Sequence, residues 1–560
     1  MMTETDYPQV PPAGGTDTPP RRRFLERALA LGAMAVAAPA ARSRPTGAGA
    51  DTAAGSRAAA APLRRALPIP PRLRGHPLPD GTLGYQLRVG TGTSELLAGL
   101  RTPTWGYNGA LLGPALVVPR GQSVRISVRN GLHQSTSVHW HGAHAPGDMD
   151  GGPHSPIAAG ATAEVHFALD QPAATLWYHP HVHGRTGPQV YAGLAGLLLI
   201  DDGVDRRLGL PHRWGVDDIP LIVQDRRIDA DGTLLYMNAM MDMMGMKGDR
   251  FLVNGVEGPY VDVPAQQVRL RLLNGSNARL YNFAFADGRA FHVVASDGGL
   301  LARPVELRSL LLAPAERAEI VVDLTRDQGR AVVLGSDSGR VIPDLGMPMG
   351  TDAFDARGFA LLELRVGSPS GRAARLPGSL VPLPTLDTSR PARRFSLQGM
   401  MGSMGGGGMM GGGMMGGGMM GMMGGRTIRN MVSAASGPGG MDMGVGGRDV
   451  FSINHAFMDM AVINQRVRLG DTEVWEVRND APMAHPFHVH GTSFRILERE
   501  GLPPLEHERG WKDVVLVAPN ETVRLIMHFG QPAGPGHPFM YHCHVLEHED
   551  NGMMGQFSVT

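Results

Sequence analysis

Val117-Val118-Pro119-Arg120-Gly121-Gln122-Ser123-Val124-Arg125-Ile126-Ser127-Val128-Arg129-Asn130 carries the pattern that sets the fold. A turn at Pro119-Arg120-Gly121 runs into Val124, Ile126 and Val128, which alternate with polar residues. A period of two puts one strand face on a core and the other in water. The pattern recurs as Val261-Asp262-Val263-Pro264-Ala265-Gln266-Gln267-Val268-Arg269-Leu270-Arg271-Leu272-Leu273-Asn274. It returns as Val467-Arg468-Leu469-Gly470-Asp471-Thr472-Glu473-Val474-Trp475-Glu476-Val477-Arg478-Asn479. Each copy is a turn, then an alternating strand, then Asn. Chance similarity between generic strands is the competing reading, and three copies with matching flanks disfavour it. They predict an all-β chain of three β-sandwich domains of one type.

The chain has 560 residues, room for about three to four domains of roughly 150 residues. Its 52 basic and 52 acidic side chains cancel, so neither a nucleic-acid groove nor a strongly basic membrane face is expected. The single cysteine, Cys543, cannot form an internal disulfide. Methionine (33) and histidine (22) are plentiful, and thioethers and imidazoles both bind copper.

Residues 1–20 are polar and rich in proline, and Arg21-Arg22-Arg23-Phe24-Leu25 then leads into an apolar run from Ala28 to Ala41. Ala38 and Ala40 offer a small-residue cleavage site. The order resembles a twin-arginine export signal, which predicts a periplasmic, secreted or cell-surface protein. The run is too short for an ordinary transmembrane helix, and no later segment has about twenty consecutive apolar residues, so no transmembrane segment is expected. The expected division is a signal and disordered linker over 1–65, then domains over 66–205, 206–375 and 376–560.

The first and third repeats are followed by histidines and the second is not. The clusters are His139-Trp140-His141, His179-Pro180-His181-Val182-His183, His485-Pro486-Phe487-His488-Val489-His490 and His542-Cys543-His544, which continues to His548 and Met553. Each holds a His-x-His pair, and residues i and i+2 of a strand share a face. One such pair is most simply a loop with surface histidines. Four pairs in two related domains point to a metal cluster. Cys543, between His542 and His544, must face the other way and serve a second metal. With His485, His548 and Met553 it makes a set of two imidazoles, a thiolate and a thioether, the blue-copper donors. Structural zinc is the rival, but its sites rarely use Met and usually use more cysteine. The middle domain, without a cluster, reads as a spacer.

The four clusters, in this order, resemble the copper-binding motifs of the multicopper oxidases, the family of laccases, bilirubin oxidases and bacterial cuprous oxidases. The likeness spans nearly all of residues 80–560. It implies three cupredoxin-like Greek-key β-sandwich domains and four copper ions: one type 1, one type 2 and a type 3 pair. By this resemblance His485, Cys543, His548 and Met553 hold the type 1 copper, and His139 and His488 the type 2 copper. His141, His179, His181, His490, His542 and His544 hold the type 3 pair. His183 falls where relatives have a non-ligand. Asp150, in Asp148-Met149-Asp150-Gly151-Gly152, matches the family's acidic residue near its oxygen channel. Glu549 matches its second proton-relay residue. The implied reaction draws single electrons from Cu(I) or a phenolic donor and reduces dioxygen to water, with copper tolerance as the expected role. A general laccase or bilirubin oxidase for organic donors, and a non-catalytic exported copper-storage or scaffold protein, are the alternatives. The protein is expected to be a monomer.

Residues 399–425 are almost only Met and Gly. Glycine at this density prevents a stable core, and thioethers select Cu(I). Bacterial cuprous oxidases of the family carry a methionine-rich insert in a similar place, over the type 1 site. Met483, Met400 and Met401 are the candidates for contact with substrate Cu(I). Those relatives have an acidic residue four before the type 1 histidine, where this chain has Ala481, with Asp480 one residue away. A low-complexity expansion without a role is the alternative.

Overall fold

The computed structural model describes residues 65–237, 240–341, 345, 352–371, 375–387, 392–399 and 451–560. The export signal, nearly all of the linker and the Met/Gly segment with Met400 and Met401 lie outside the described residues.

The three repeats form equivalent corners. Ala115–Pro119 and Ser123–Asn130 are strands in two different sheets. So are Pro259–Pro264 and Gln267–Asn274, and again Gln465–Val467 and Thr472–Asn479. The repeated turn is therefore where the chain crosses from one sheet of a sandwich to the other. The closing Asn has a physical reason at each corner, because Asn130, Asn274 and Asn479 are fully buried. Asn130 Nδ2 donates to the Gln134 and Ile157 carbonyls and its Oδ1 accepts from Leu132 N. Asn274 does the same with Arg279, Leu312 and Ser276. Asn479 does so with Met483, Val517 and Ala481. One side chain supplies both the donors and the acceptor that a bending, buried backbone lacks.

Around these corners the chain builds three cupredoxin-like sandwiches. The first pairs a sheet holding Ala115–Pro119, Thr175–His179 and His139–His141 with one built on Leu83–Ser94 and Ser123–Asn130. The middle one has a six-stranded and a seven-stranded sheet, and the third has two five-stranded sheets. Sequence neighbours are often not sheet neighbours, as Greek-key connections require. The inward residues of the repeats, Val124 and Ile126, Val268 and Leu270, and Trp475 and Val477, lie in three separate cores.

Two edges differ from the expected division. Arg65–Ala66 pairs in parallel with Pro259–Tyr260 of the middle domain, and Leu67 packs into the middle domain's core. The chain thus touches the middle domain before Arg72–Arg74 joins the first. Leu380 also packs on the middle core and donates its N–H to Ala302, so residues near 380 lie along that domain. The third domain's own sheet begins at Ala392–Gln398. In both places apolar residues ahead of the domain's first strand find the nearest uncovered core.

Candidate metal centre

Strand register assembles the site. His139–His141 pairs antiparallel with Thr175–His179, with His139 opposite His179 and Trp177 opposite His141. His485–Val489 pairs antiparallel with Phe539–Cys543, with His488 opposite His542 and Phe487 opposite Cys543. Opposed residues of an antiparallel pair share a face. His488 and His542 therefore face one side of the sheet. Cys543, on the other side with Phe487, meets His485, two residues along from Phe487.

The result is two buried clusters. On one side, His485 Nδ1 and His548 Nδ1 lie 3.3 and 3.6 Å from Cys543 Sγ and 3.3 Å from each other. Met553 is fully buried beside them, and its carbonyl accepts from Cys543 N. His548 sits on the short helix Leu546–Asp550 and stacks on Phe451. On the other side, donor atoms converge in three groups: His139, His141 and His488; His141, His179 and His544; His181, His490 and His542. Each group draws on both the first and third domains, so the cluster lies at their junction. His183 is exposed and belongs to none of them.

These side chains fit metal ions. His181 Nε2 and His490 Nε2 each approach His542 Nε2 to 3.2 Å. The outer nitrogens of these rings are turned away from one another: His490 Nδ1 donates to Asp150 Oδ2 at 2.8 Å and His542 Nδ1 to the Cys543 carbonyl at 3.1 Å. The inner nitrogens of His490 and His542 are then lone pairs facing each other, which repel unless a cation shares them. The inner nitrogens of His139 and His488 have no partner, while their outer Nδ1 atoms donate to the Asp150 and Asp513 carbonyls. Burial lowers the pKa of most of these imidazoles, to about 3 for His485 and His542, and keeps them neutral ligands. It pushes the Cys543 thiol up, so only a bound cation would hold it as thiolate.

Two carboxylates reach the larger cluster. Asp150 Oδ2 also lies 3.3 Å from His139 Nδ1, and its Oδ1 has no partner. Glu549 lies between His181 and His542, at 3.4 and 3.3 Å, with neither oxygen in hydrogen-bond alignment. Burial, with Asp550 and Glu547 adding, raises its carboxyl well above the usual range.

Several groups here escape a reading of motifs. Asp513 Oδ1 accepts from His141 Nε2 at 3.0 Å, and Arg317 of the middle domain grips Asp513. The middle domain therefore does more than space the other two. Glu547 accepts from Tyr236, Met246 and Asn277, and Asp550 accepts from Thr186 and Gly187, which ties the helix bearing His548 to both other domains. The only sequence signal for these was an acidic residue next to a metal motif (Glu547, Asp550); Asp513 and Arg317 had none.

On the Cys543 side, Met483 is buried in the third domain's core. Asp480 accepts from Ser396 and Arg478, so its charge is already compensated. The buried Nε2 of His485 has no hydrogen-bond partner, and Gly399 lies over it: a Cβ at 399 would stand 3.7 Å from that nitrogen and 3.0 Å from Ala481 Cβ.

Family models of multicopper oxidases match residues 88–205, 229–334 and 436–560. A multicopper oxidase of Staphylococcus haemolyticus is 33% identical over 485 residues, 86% of this chain and 89% of that one. The cell division protein FtsP of Escherichia coli is 35% identical over 508 residues, 90% and 94% of the two chains. Among solved structures, the laccase-like multicopper oxidase CueO of an Ochrobactrum species superposes with a TM-score of 0.73 at 35% identity, covering 88% of this chain and 100% of that one. The chain belongs to the multicopper oxidase family. That membership supports copper binding and oxidoreductase chemistry in general. Among the described residues no helix is long and apolar enough to cross a membrane.

Proposed function

We propose that the protein is an exported oxidase that takes single electrons from Cu(I) or phenolic donors and passes them to dioxygen, giving water. The observation that carries this reading is the placement of Cys543: its sulfur meets His485 and His548, while its neighbours His542 and His544 enter the two other groups. In it His485, Cys543, His548 and Met553 hold a type 1 copper and His139 and His488 a type 2 copper. The type 3 pair divides into His141, His179 and His544 for one ion and His181, His490 and His542 for the other. Bound copper supplies reversible one-electron chemistry on both sides of the strand ending at Cys543.

The protein's own groups do the rest. The short covalent path from the Cys543 sulfur through the backbone to His542 and His544 joins the two clusters. Asp150 holds His490 through its Nδ1 and leaves Oδ1 free to accept a proton. Glu549, whose carboxyl burial pushes up, stands beside His181 and His542, where it can pass a proton to the reduction of dioxygen. The buried walls keep bulk water from the donor nitrogens.

Cu(I) as a donor, and copper tolerance as the role, rest on the methionines near the type 1 side and on the Met/Gly segment; Met483, Met400 and Met401 are proposed to meet it. Phenolic donors draw support from the Ochrobactrum relative, described with oxidase activity towards lignin model compounds. Oxygen-uptake kinetics of the copper-loaded chain with Cu(I), Fe(II), Mn(II) and phenols test the reading. Removal of residues 400–425 should slow Cu(I) oxidation and leave phenol oxidation equal or faster. Unchanged Cu(I) oxidation would remove the segment from the mechanism.

The likeness to FtsP favours a second reading, a non-catalytic exported scaffold. Against it, all the histidines and the cysteine of this ligand reading are buried, with their donor atoms drawn into close groups. A copper-loaded chain without blue absorption or oxygen uptake would favour copper storage, and a chain that takes up no copper would favour the scaffold.

A further inference from the structure

Arg317 has spent every donor it owns. Its Nε donates to the Thr175 carbonyl of the first domain at 3.2 Å. Nη1 donates to the Ala315 carbonyl at 3.0 Å and to Asp513 Oδ1 at 2.6 Å. Nη2 donates to the Asp297 carbonyl at 3.1 Å and to Asp513 Oδ2 at 2.5 Å. Five N–H groups in a rigid plane thus bind all three domains, with the guanidinium 1% exposed. The approach is close: Gly142, at φ +84°, passes where a Cβ would stand 2.5 Å from Asp513 Oδ2 and 2.9 Å from Arg317 Nη2. Asp297 also accepts from Arg317 N and pairs with Lys512, the neighbour of Asp513.

This grip decides the orientation of one imidazole. A carboxylate held by two guanidinium donors can only accept, so His141 Nε2 must carry the hydrogen it shares with Asp513 Oδ1. The proton is then on Nε2, and Nδ1 is the bare nitrogen. Nδ1 is the atom that faces the cluster, 3.4 Å from His179 Nε2. His181, His490 and His542 face one another through Nε2 instead. His141 therefore enters the cluster by the opposite nitrogen, and the group that imposes this comes from the third domain and is fixed by the middle one. The Asp513 carbonyl also accepts from His488 Nδ1 at 2.7 Å, so any movement of residue 513 is felt by a second ring.

We propose that Arg317 and Asp513 are positioning residues that set the tautomer of His141 and place His488, so that docking of the middle domain controls copper loading at the type 2 and type 3 positions. This rests on the copper reading of those histidines given above. Neither residue touches the reacting atoms.

The test uses the full chain, wild type, Asp513→Asn and Arg317→Lys, each titrated with copper and followed by copper per chain, the type 2 electron paramagnetic resonance signal and the blue absorption. An amide at 513 must present an N–H either to Arg317 or to His141, and lysine cannot hold both carboxylate oxygens as the guanidinium does. The expected result is a loss of cluster copper affinity of about 10–100-fold in both variants, with the type 2 signal altered and the blue absorption of the Cys543 site retained. Full copper content with an unchanged type 2 signal in Asp513→Asn would overturn the proposal. Loss of the blue absorption together with the cluster signals would also overturn it, because the pair would then be supporting the whole fold. A wild-type chain that binds no type 2 or type 3 copper overturns this proposal and the copper reading together.

Discussion

His490 of the third domain donates from Nδ1 to Asp150 Oδ2 of the first domain at 2.8 Å, 340 residues away in the chain. Both residues are buried, and the bond leaves His490 Nε2 bare and pointing at His542 Nε2. Asp150 thus orients a ring across the domain junction while its own Oδ1 stays free.

Asp150→Asn keeps an acceptor for His490 but cannot take up a proton. Oxygen uptake should fall by about 10–100-fold while the blue absorption of the Cys543 site persists. Parallel visible spectra and oxygen-electrode rates check this. Equal rates would remove Asp150 from proton handling.

Cys543→Ser removes the sulfur from the group it forms with His485 and His548 and leaves His542 and His544 on their strand. Blue absorption should vanish, about one copper per chain should be lost, and oxygen uptake should drop to background. Metal analysis with optical spectra decides it. Retained colour would mean that the sulfur is no ligand.

Gly399→Val puts a side chain over the Nε2 edge of His485, where even a Cβ stands 3.0 Å from Ala481. Oxidation of bulky phenols should slow by roughly tenfold, about 1.4 kcal/mol, with the blue absorption unaltered. Steady-state rates against a small and a large phenol measure it; equal slowing of both would place donor access elsewhere.

Asp218 holds Arg269 and Arg271, which in turn reach Asp205 and Thr175 at the junction with the first domain. Burial alone would push its carboxyl up, but the two guanidinium groups outweigh that and hold it at about 2, below the ordinary 3.8. Its contribution, about 2 kcal/mol, is therefore complete above about pH 5 and is lost progressively as pH falls through the folded value of about 2. Thermal unfolding at stepwise lower pH should show a steep acid limb in the wild type and a flatter one in Asp218→Asn. Parallel acid limbs would contradict the assignment.

The alternating repeats at Val117, Val261 and Val467 were enough to count the sandwiches, since an alternating strand can bury only one face whatever its neighbours are. The same period of two placed Cys543 on the face opposite His542 and His544, which the register of Phe487 against Cys543 bears out. Those properties are local: a residue's face depends on its own strand.

What the chain alone left undetermined is non-local. Which histidines converge on one another follows from how the first and third sandwiches meet, as His181 joins His490 and His542. That Arg65–Ala66 joins the middle domain depends on a strand edge offered by Pro259–Tyr260, far away in the chain. Asp513 and Arg317 look, in sequence, like any charged residues on strands. Only their burial in the three-domain junction makes them consequential, because there a charge must find its partner, and that partner fixes a histidine.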